Sequence, residues 1–141
     1  KADLLTPNRP EAELLADMKI DSEKDIDVAA RKLIDMGPKA VLIKGGHFGS
    51  ASAAEFTDWL ALPDEPLIAL KQPGVKTSNN HGTGCTLSAA IATYLGLGLG
   101  IRDAIVHAQK FLNHCLRHGY APGLGAGPPN HASWIAKRVG E

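Results

Sequence analysis

Thr77-Ser78-Asn79-Asn80-His81-Gly82-Thr83-Gly84-Cys85-Thr86 runs straight into an apolar stripe of Leu87, Ala90, Ile91, Tyr94 and Leu95 at helical spacing. Two glycines at a helix start let successive backbone N–H groups face one concavity, and the positive end of the helix dipole adds to the field there. Such a loop suits an anion. A helix start also favours negative charge on a first-turn cysteine, which makes Cys85 a candidate base or nucleophile. The same residues allow a plainer reading, in which Thr83 or Thr86 caps the helix, Gly82 and Gly84 make the turn, and Cys85 is a small buried side chain. The local sequence leaves these two readings level.

Upstream of this loop, Ala2-Asp3-Leu4-Leu5-Thr6 is a short apolar run ended by Pro7, as a buried strand would be. Asn8-Arg9-Pro10-Glu11 opens a helix with Leu14, Leu15 and Met18 on its apolar face, and Asp21 or Ser22 opens a second that Gly37-Pro38 stops. Ala40-Val41-Leu42-Ile43 is a continuous aliphatic run, expected for a strand covered on both faces. Phe56 to Leu62 and Leu67 to Leu70 flank the turn residues Pro63-Asp64-Glu65-Pro66 and predict a strand pair. Downstream, Ile101 to Leu116 predicts a further helix, and Pro122 to Asn130 a loop. The alternation predicts an α/β fold with a mostly parallel sheet flanked by helices. Residues 1–141 read as a single unit with no internal boundary.

The 141 residues carry Lys+Arg 15 against Asp+Glu 15, a formal net charge of zero, with 44% hydrophobic and 21% charged residues. That balance excludes disorder driven by charge and argues against a nucleic-acid partner, which calls for a basic surplus. No apolar run approaches the ~18 residues of a membrane span, and the N-terminus has no signal-peptide build, so the reading is a cytoplasmic protein with no membrane partner. Cys85 and Cys115 make no disulfide framework. Gly96-x-Gly98-x-Gly100 and Gly123-x-Gly125-x-Gly127 do not join a strand to a helix in the order a dinucleotide site needs, and no P-loop motif is present. His107, Phe111, His114 and His118 share one helical face, and lack the further partner that a tetrahedral metal set requires. Trp59 and Trp134 read as packing residues.

The Gly82-Thr83-Gly84-Cys85 turn resembles the signature of the ribokinase-like small-molecule kinases, specifically the hydroxymethylpyrimidine and phosphomethylpyrimidine kinases of thiamine biosynthesis. Most of that superfamily has Asp at the last position of the turn, and this branch has Cys. The resemblance extends to Thr6-Pro7-Asn8 with Glu11-Ala12, to Val41-Leu42-Ile43-Lys44-Gly45-Gly46-His47, and to Leu124-Gly125-Ala126-Gly127-Pro128-Pro129-Asn130-His131, four blocks in the family's order. It implies an ATP- and Mg²⁺-dependent kinase that phosphorylates hydroxymethylpyrimidine and then its monophosphate. By the same resemblance, Gly82, Thr83 and Gly84 would hold the transferring phosphoryl group, with Thr77 in the same nucleotide-side stretch. Cys85 would receive the substrate hydroxyl proton. Asn8 and Glu11 would organise Mg²⁺ and the nucleotide phosphates, although Asn at a helix start with Glu three residues on is also a capping box. Lys44, Gly45 and Gly46 would lie near the nucleotide.

Members of this family are nearly twice this long, and the resemblance places residue 1 where the family's second half begins. The fold expected is therefore ribokinase-like without its N-terminal strands. The first half would supply much of the pyrimidine pocket, so the chain is expected to associate with that half or to form a homo-oligomer, with low activity alone. Lys1 in place of an initiator Met agrees with a truncated chain. Two other readings stay open. Some ribokinase-like proteins with a Gly-Thr-Gly-Cys turn act on pyridoxine-type alcohols, and a half-domain could bind nucleotide without transferring phosphate.

Overall fold

The computed structural model describes residues 2–45 and 55–139. They divide into two compact units, Lys1–Gln72 and Pro73–Glu141, where the sequence reading treated the whole span as one unit.

In the first unit, α1 (Arg9–Ala16) and α2 (Glu23–Asp35) precede β1 (Val41–Ile43), β2 (Glu55–Ala61) and β3 (Ile68–Pro73), which form a sheet in that order. Both helices begin with a capping box, in which a side chain and a backbone N–H are exchanged over three residues: Asn8 with Glu11 in α1, and Ser22 with Asp25 in α2. The second helix starts at Ser22, one of the two caps expected. Ile26, Ala29, Ala30 and Leu33 recur at helical spacing along α2 and are fully buried with Ile20, Val41 and Ile43 in one core cluster. Fully burying each large aliphatic side chain contributes about 1.5–3 kcal/mol, so this stripe holds α2 to the sheet.

β1 runs antiparallel to β2, pairing Val41 with Ala61, Leu42 with Leu60 and Ile43 with Trp59. Parallel pairing is supplied by the N-terminal segment, through isolated bridges of Leu5 to Val41 and Asn8 to Lys44. The Leu5 N–H donates to the Ala40 carbonyl at 3.0 Å, the Leu42 N–H to the Leu5 carbonyl at 2.8 Å, and the Lys44 N–H to the Pro7 carbonyl at 2.9 Å. Residues 2–6 were expected to form a strand, and within them only Leu5 makes an isolated bridge. Pro7 has no N–H to donate, which leaves a gap in the ladder between the two bridges. Arg31 of α2 secures the turn after β2: its guanidinium donates to the Leu62 carbonyl at 2.7 Å and to the Glu65 carbonyl, and meets Asp27 at 3.2 Å.

In the second unit, α3 (Thr83–Gly96) packs against α4 (Ile101–Arg117), and α4 against α5 (Ala132–Val139). Leu87, Ala90 and Ile91 of α3 and Ala104, Ile105, Ala108 and Leu112 of α4 are buried. The apolar stripe suggested a helix beginning near Leu87; the helix begins one turn earlier, because Thr83-Gly84-Cys85-Thr86 adopts helical geometry without an apolar side chain that periodicity could detect. The sequence reading did not assign α5, whose eight residues follow a proline-rich loop. Among the described residues, no helix is long and apolar enough to cross a membrane.

Candidate functional site

In the first unit, the N-terminal segment and β1 bring together Asn8, Glu11, Lys44 and Gly45. Asn8 and Lys44 are partners in an isolated bridge, and Glu11 stands one helical turn above Asn8. Here the capping box predicted as the alternative role is present: the Asn8 N–H donates to Glu11 Oε2 at 2.7 Å, and the Glu11 N–H to Asn8 Oδ1 at 2.9 Å. The Glu11 side chain lies at an exposed position, so the carboxylate remains open to solvent beyond this bond. Gly45 donates its N–H to Asp58 Oδ1 at 3.0 Å and approaches β2 so closely that a Cβ would lie 1.5 Å from the Thr57 carbonyl oxygen. Packing thus accounts for glycine there. Gly46 and His47, also singled out by sequence, lie outside the described residues.

In the second unit, the loop 77–82 leads into α3. Thr77 Oγ1 accepts the Asn79 N–H at 3.0 Å, a local turn that uses the Thr77 hydroxyl. Gly82 is the N-cap, with φ 82° and ψ 8°, left-handed geometry that glycine adopts without steric cost. Its carbonyl accepts the Thr86 N–H at 2.9 Å, closing the first turn. Among the described residues no side chain caps α3, and its first turn contains no acidic residue. The first-turn N–H groups of α3 thus lack the capping side chain that the plainer reading of the loop would have required. Neither Thr83 nor Thr86 acts as the cap: the Thr83 hydroxyl donates back to the Asn80 carbonyl, and Thr86 is engaged elsewhere. Cys85 is a free thiol and exposed, unlike the buried Cys115, whose thiol is pushed up to about 11 by burial.

A second segment, 127–131, is tied to this loop. The His81 N–H donates to the Gly127 carbonyl at 3.2 Å, and the Gly127 N–H donates to Asn79 Oδ1 at 3.1 Å. A Cβ on Gly127 would lie 2.0 Å from the Tyr120 carbonyl oxygen, so only glycine permits this approach. Thr86 Oγ1 and His131 Nε2 are hydrogen-bonded at 2.8 Å. Asn130 donates its N–H to the Cys115 carbonyl at 2.9 Å, which anchors the segment to α4.

Beside the loop lies a cavity of about 430 Å³ lined in part by Thr86, Thr93, Tyr94, Phe111, His131 and Trp134. Phe111 stacks on His131 with ring centroids 6.2 Å apart and meets Trp134 edge-on at 5.6 Å. The cavity walls are aromatic and aliphatic and carry three hydroxyls, from Thr86, Thr93 and Tyr94. Trp134 was expected only to pack; it also shapes this cavity. His114 and His118 stack at 4.3 Å and His107 lies against Tyr94 at 5.4 Å, and among the described residues no group of three or more His, Cys, Asp or Glu could hold a metal ion. Sequence reasoning quoted Asn79, Thr86 and His131 within motifs and did not identify them as site residues. Their partners are 45 and 48 positions away, and no local pattern marks such pairs.

The family model described as phosphomethylpyrimidine kinase matches residues 1–130. A hydroxymethylpyrimidine/phosphomethylpyrimidine kinase of Synechococcus elongatus is 46% identical over 132 residues, covering 92% of this chain and 48% of the relative. Among solved structures, a pyridoxal kinase from Staphylococcus aureus in complex with AMP-PCP superposes with a TM-score of 0.85 at 30% identity, over 95% of this chain and 48% of that one. A phosphomethylpyrimidine kinase from Clostridium difficile does so with a TM-score of 0.61 at 32% identity, over 79% of this chain and 42% of that one. The chain thus spans about half the length of the curated relatives it matches. The fold is ribokinase-like, and the chain belongs to the phosphomethylpyrimidine kinase family.

Proposed function

We propose that this chain carries the phosphoryl-transfer half of a kinase that converts hydroxymethylpyrimidine to its monophosphate and then to the diphosphate, using Mg-ATP, in thiamine biosynthesis. The observation that carries the reading is the uncapped start of α3, with left-handed Gly82 as N-cap and exposed Cys85 in the first turn. Phosphoryl transfer asks mainly for positioning and for stabilisation of charge on the transferring group, and backbone N–H groups at a helix start provide both. Gly82, Thr83 and Gly84 hold the transferring phosphoryl group. Cys85 takes the proton of the attacking hydroxyl in the first step. In the second step the acceptor is a phosphate monoester whose oxygen is already largely deprotonated near neutral pH, so the demand on Cys85 falls.

The roles assigned on the nucleotide side are those the family resemblance implies: Asn8, Lys44, Gly45 and Gly46 in the first unit, and Thr77 in the second, serve the nucleotide. A Mg²⁺ ion supplies charge neutralisation at the phosphates when bound, and this chain offers it the exposed Glu11 carboxylate. One carboxylate is the kind of protein contact Mg²⁺ takes when most of its ligands are waters and phosphate oxygens. Curated relatives named hydroxymethylpyrimidine/phosphomethylpyrimidine kinase, 38–46% identical to this chain, favour the pyrimidine over pyridoxal as substrate. The remainder of the substrate pocket comes from residues equivalent to the other half of the relatives. The setting proposed is the cytoplasm.

The test is phosphate transfer from Mg-ATP to hydroxymethylpyrimidine phosphate and to pyridoxal, by the chain alone and with the N-terminal half of a relative added. Transfer to the pyrimidine on complementation is expected. Turnover by the chain alone would show that its own residues suffice, preference for pyridoxal would reassign the substrate, and ATP binding without any transfer would leave a nucleotide-binding half-domain.

A further inference from the structure

We propose that His131 is a positioning residue for the anion-binding loop, acting through Thr86; the inference rests on the reading of that loop as a phosphate site. His131 stands at the start of α5, where the Trp134 N–H donates to its carbonyl at 3.3 Å, and the Asn130 N–H before it is anchored to the Cys115 carbonyl of α4 at 2.9 Å. Its ring stacks on Phe111, with centroids 6.2 Å apart and an interplanar angle of 22°. Both the backbone and the plane of the imidazole are thus held before it reaches α3. From that platform Nε2 meets Thr86 Oγ1 at 2.8 Å. Thr86 directly follows Cys85, is buried, and donates its N–H to the Gly82 carbonyl at 2.9 Å, the bond that closes the turn carrying Gly82, Thr83, Gly84 and Cys85.

The first turn of a helix is where fraying begins, because its N–H groups lack intrahelical partners. In α1 and α2 a capping box resists fraying; in α3 a side-chain cap would occupy the N–H groups that the phosphate needs. Gripping the turn from its flank, at Thr86, holds the geometry and leaves those groups open. The clasp of Asn79 and His81 on Gly127 fixes the loop from the other side, so His131 completes a brace that begins four residues earlier in the same segment.

The experiment measures binding of sodium tripolyphosphate to the 141-residue chain by calorimetry, together with thermal unfolding, for wild type, H131A, H131Q, T86V, T86S and the H131A/T86V double variant. Removal of one hydrogen bond's worth of preorganisation is expected to weaken binding about fivefold in H131A and T86V. The double variant should be no weaker than either single one, and H131Q and T86S should recover most of the affinity, since each restores a hydrogen-bonding group at that place. Unchanged tripolyphosphate affinity in H131A, or additive losses in the double variant, would overturn the positioning role. Loss in H131A that H131Q fails to rescue and that only parallels lowered thermal stability would do the same, assigning His131 to packing. A wild-type chain that binds no tripolyphosphate would instead remove the phosphate-site reading, and the role of His131 with it.

Discussion

At the start of α1 the Asn8 side chain and the Glu11 carboxylate satisfy each other's backbone N–H groups, at 2.9 and 2.7 Å; at the start of α3 the N-cap is Gly82, with no capping side chain among the described residues. α4 is also without a side-chain cap, and it carries Asp103 in its first turn, whereas α3 has no acidic residue there. A closed helix start spends its dipole on its own residues and stabilises the fold. An open one keeps the dipole for a ligand and needs support from elsewhere in the structure. In α3 that support comes from residues 127–131.

The contrast is sharpest at Cys85. Replacing it with Ala should lower phosphorylation of the alcohol by about 100-fold, the scale of a lost general base, with a much smaller loss for the monophosphate. Steady-state rates with the two acceptors, measured on the complemented kinase, check this, and equal losses would remove the proton-accepting role of Cys85. Gly127→Ala attacks the support of the open start: a methyl group 2.0 Å from the Tyr120 carbonyl oxygen forces the clasp apart. Overpacking of this kind costs about 1–3 kcal/mol, so chemical denaturation should show reduced stability and phosphate affinity should fall in parallel.

Glu11 separates capping from ion binding. Glu11→Gln keeps an acceptor for the Asn8 N–H and should leave thermal stability within about 0.5 kcal/mol of wild type. The KM for Mg-ATP should nevertheless rise severalfold, because the charge is gone. A KM that does not move would leave Glu11 a helix cap only. The smallest effect is expected at the closed start of α2. There the Ser22 hydroxyl and the Asp21 and Ser22 N–H groups hold the Asp25 carboxyl below its ordinary value of 3.8. Because the folded-state value is depressed, the contribution is present above that ordinary value and lost as pH falls through the lower folded-state one. Asp25→Asn should therefore flatten the acid limb of the stability profile followed by circular dichroism, while phosphate binding at neutral pH stays unchanged.

Helices α1 to α4 and the strand β1 were legible in the sequence because their signals are local, whereas α5 was not assigned. Ser22, Ile26, Ala29 and Leu33 declare a capped amphipathic helix within a dozen residues, and Val41-Leu42-Ile43 declares a buried strand. The start of α3 was misplaced by one turn for the complementary reason. Its first residues are chosen for backbone geometry rather than burial, so the apolar period is silent there. Segment 2–6 shows the same limit: its apolar composition suggested a strand, but only Leu5 within it makes a bridge, and Pro7, lacking an N–H, leaves a gap in the ladder before the Asn8–Lys44 bridge.

What the sequence alone determined was chemistry that neighbouring residues create together: the capping pairs, the Gly-Thr-Gly-Cys turn at a helix start, and a family signature spread over four blocks. Only the tertiary structure decided that the open helix start is braced, by Asn79 with Gly127 and Thr86 with His131, across 48 and 45 residues. The physical reason is range. Helix caps and turns are set by interactions over three or four residues, but a contact between distant segments depends on where packing of α3, α4 and α5 brings them, and no local preference encodes that meeting.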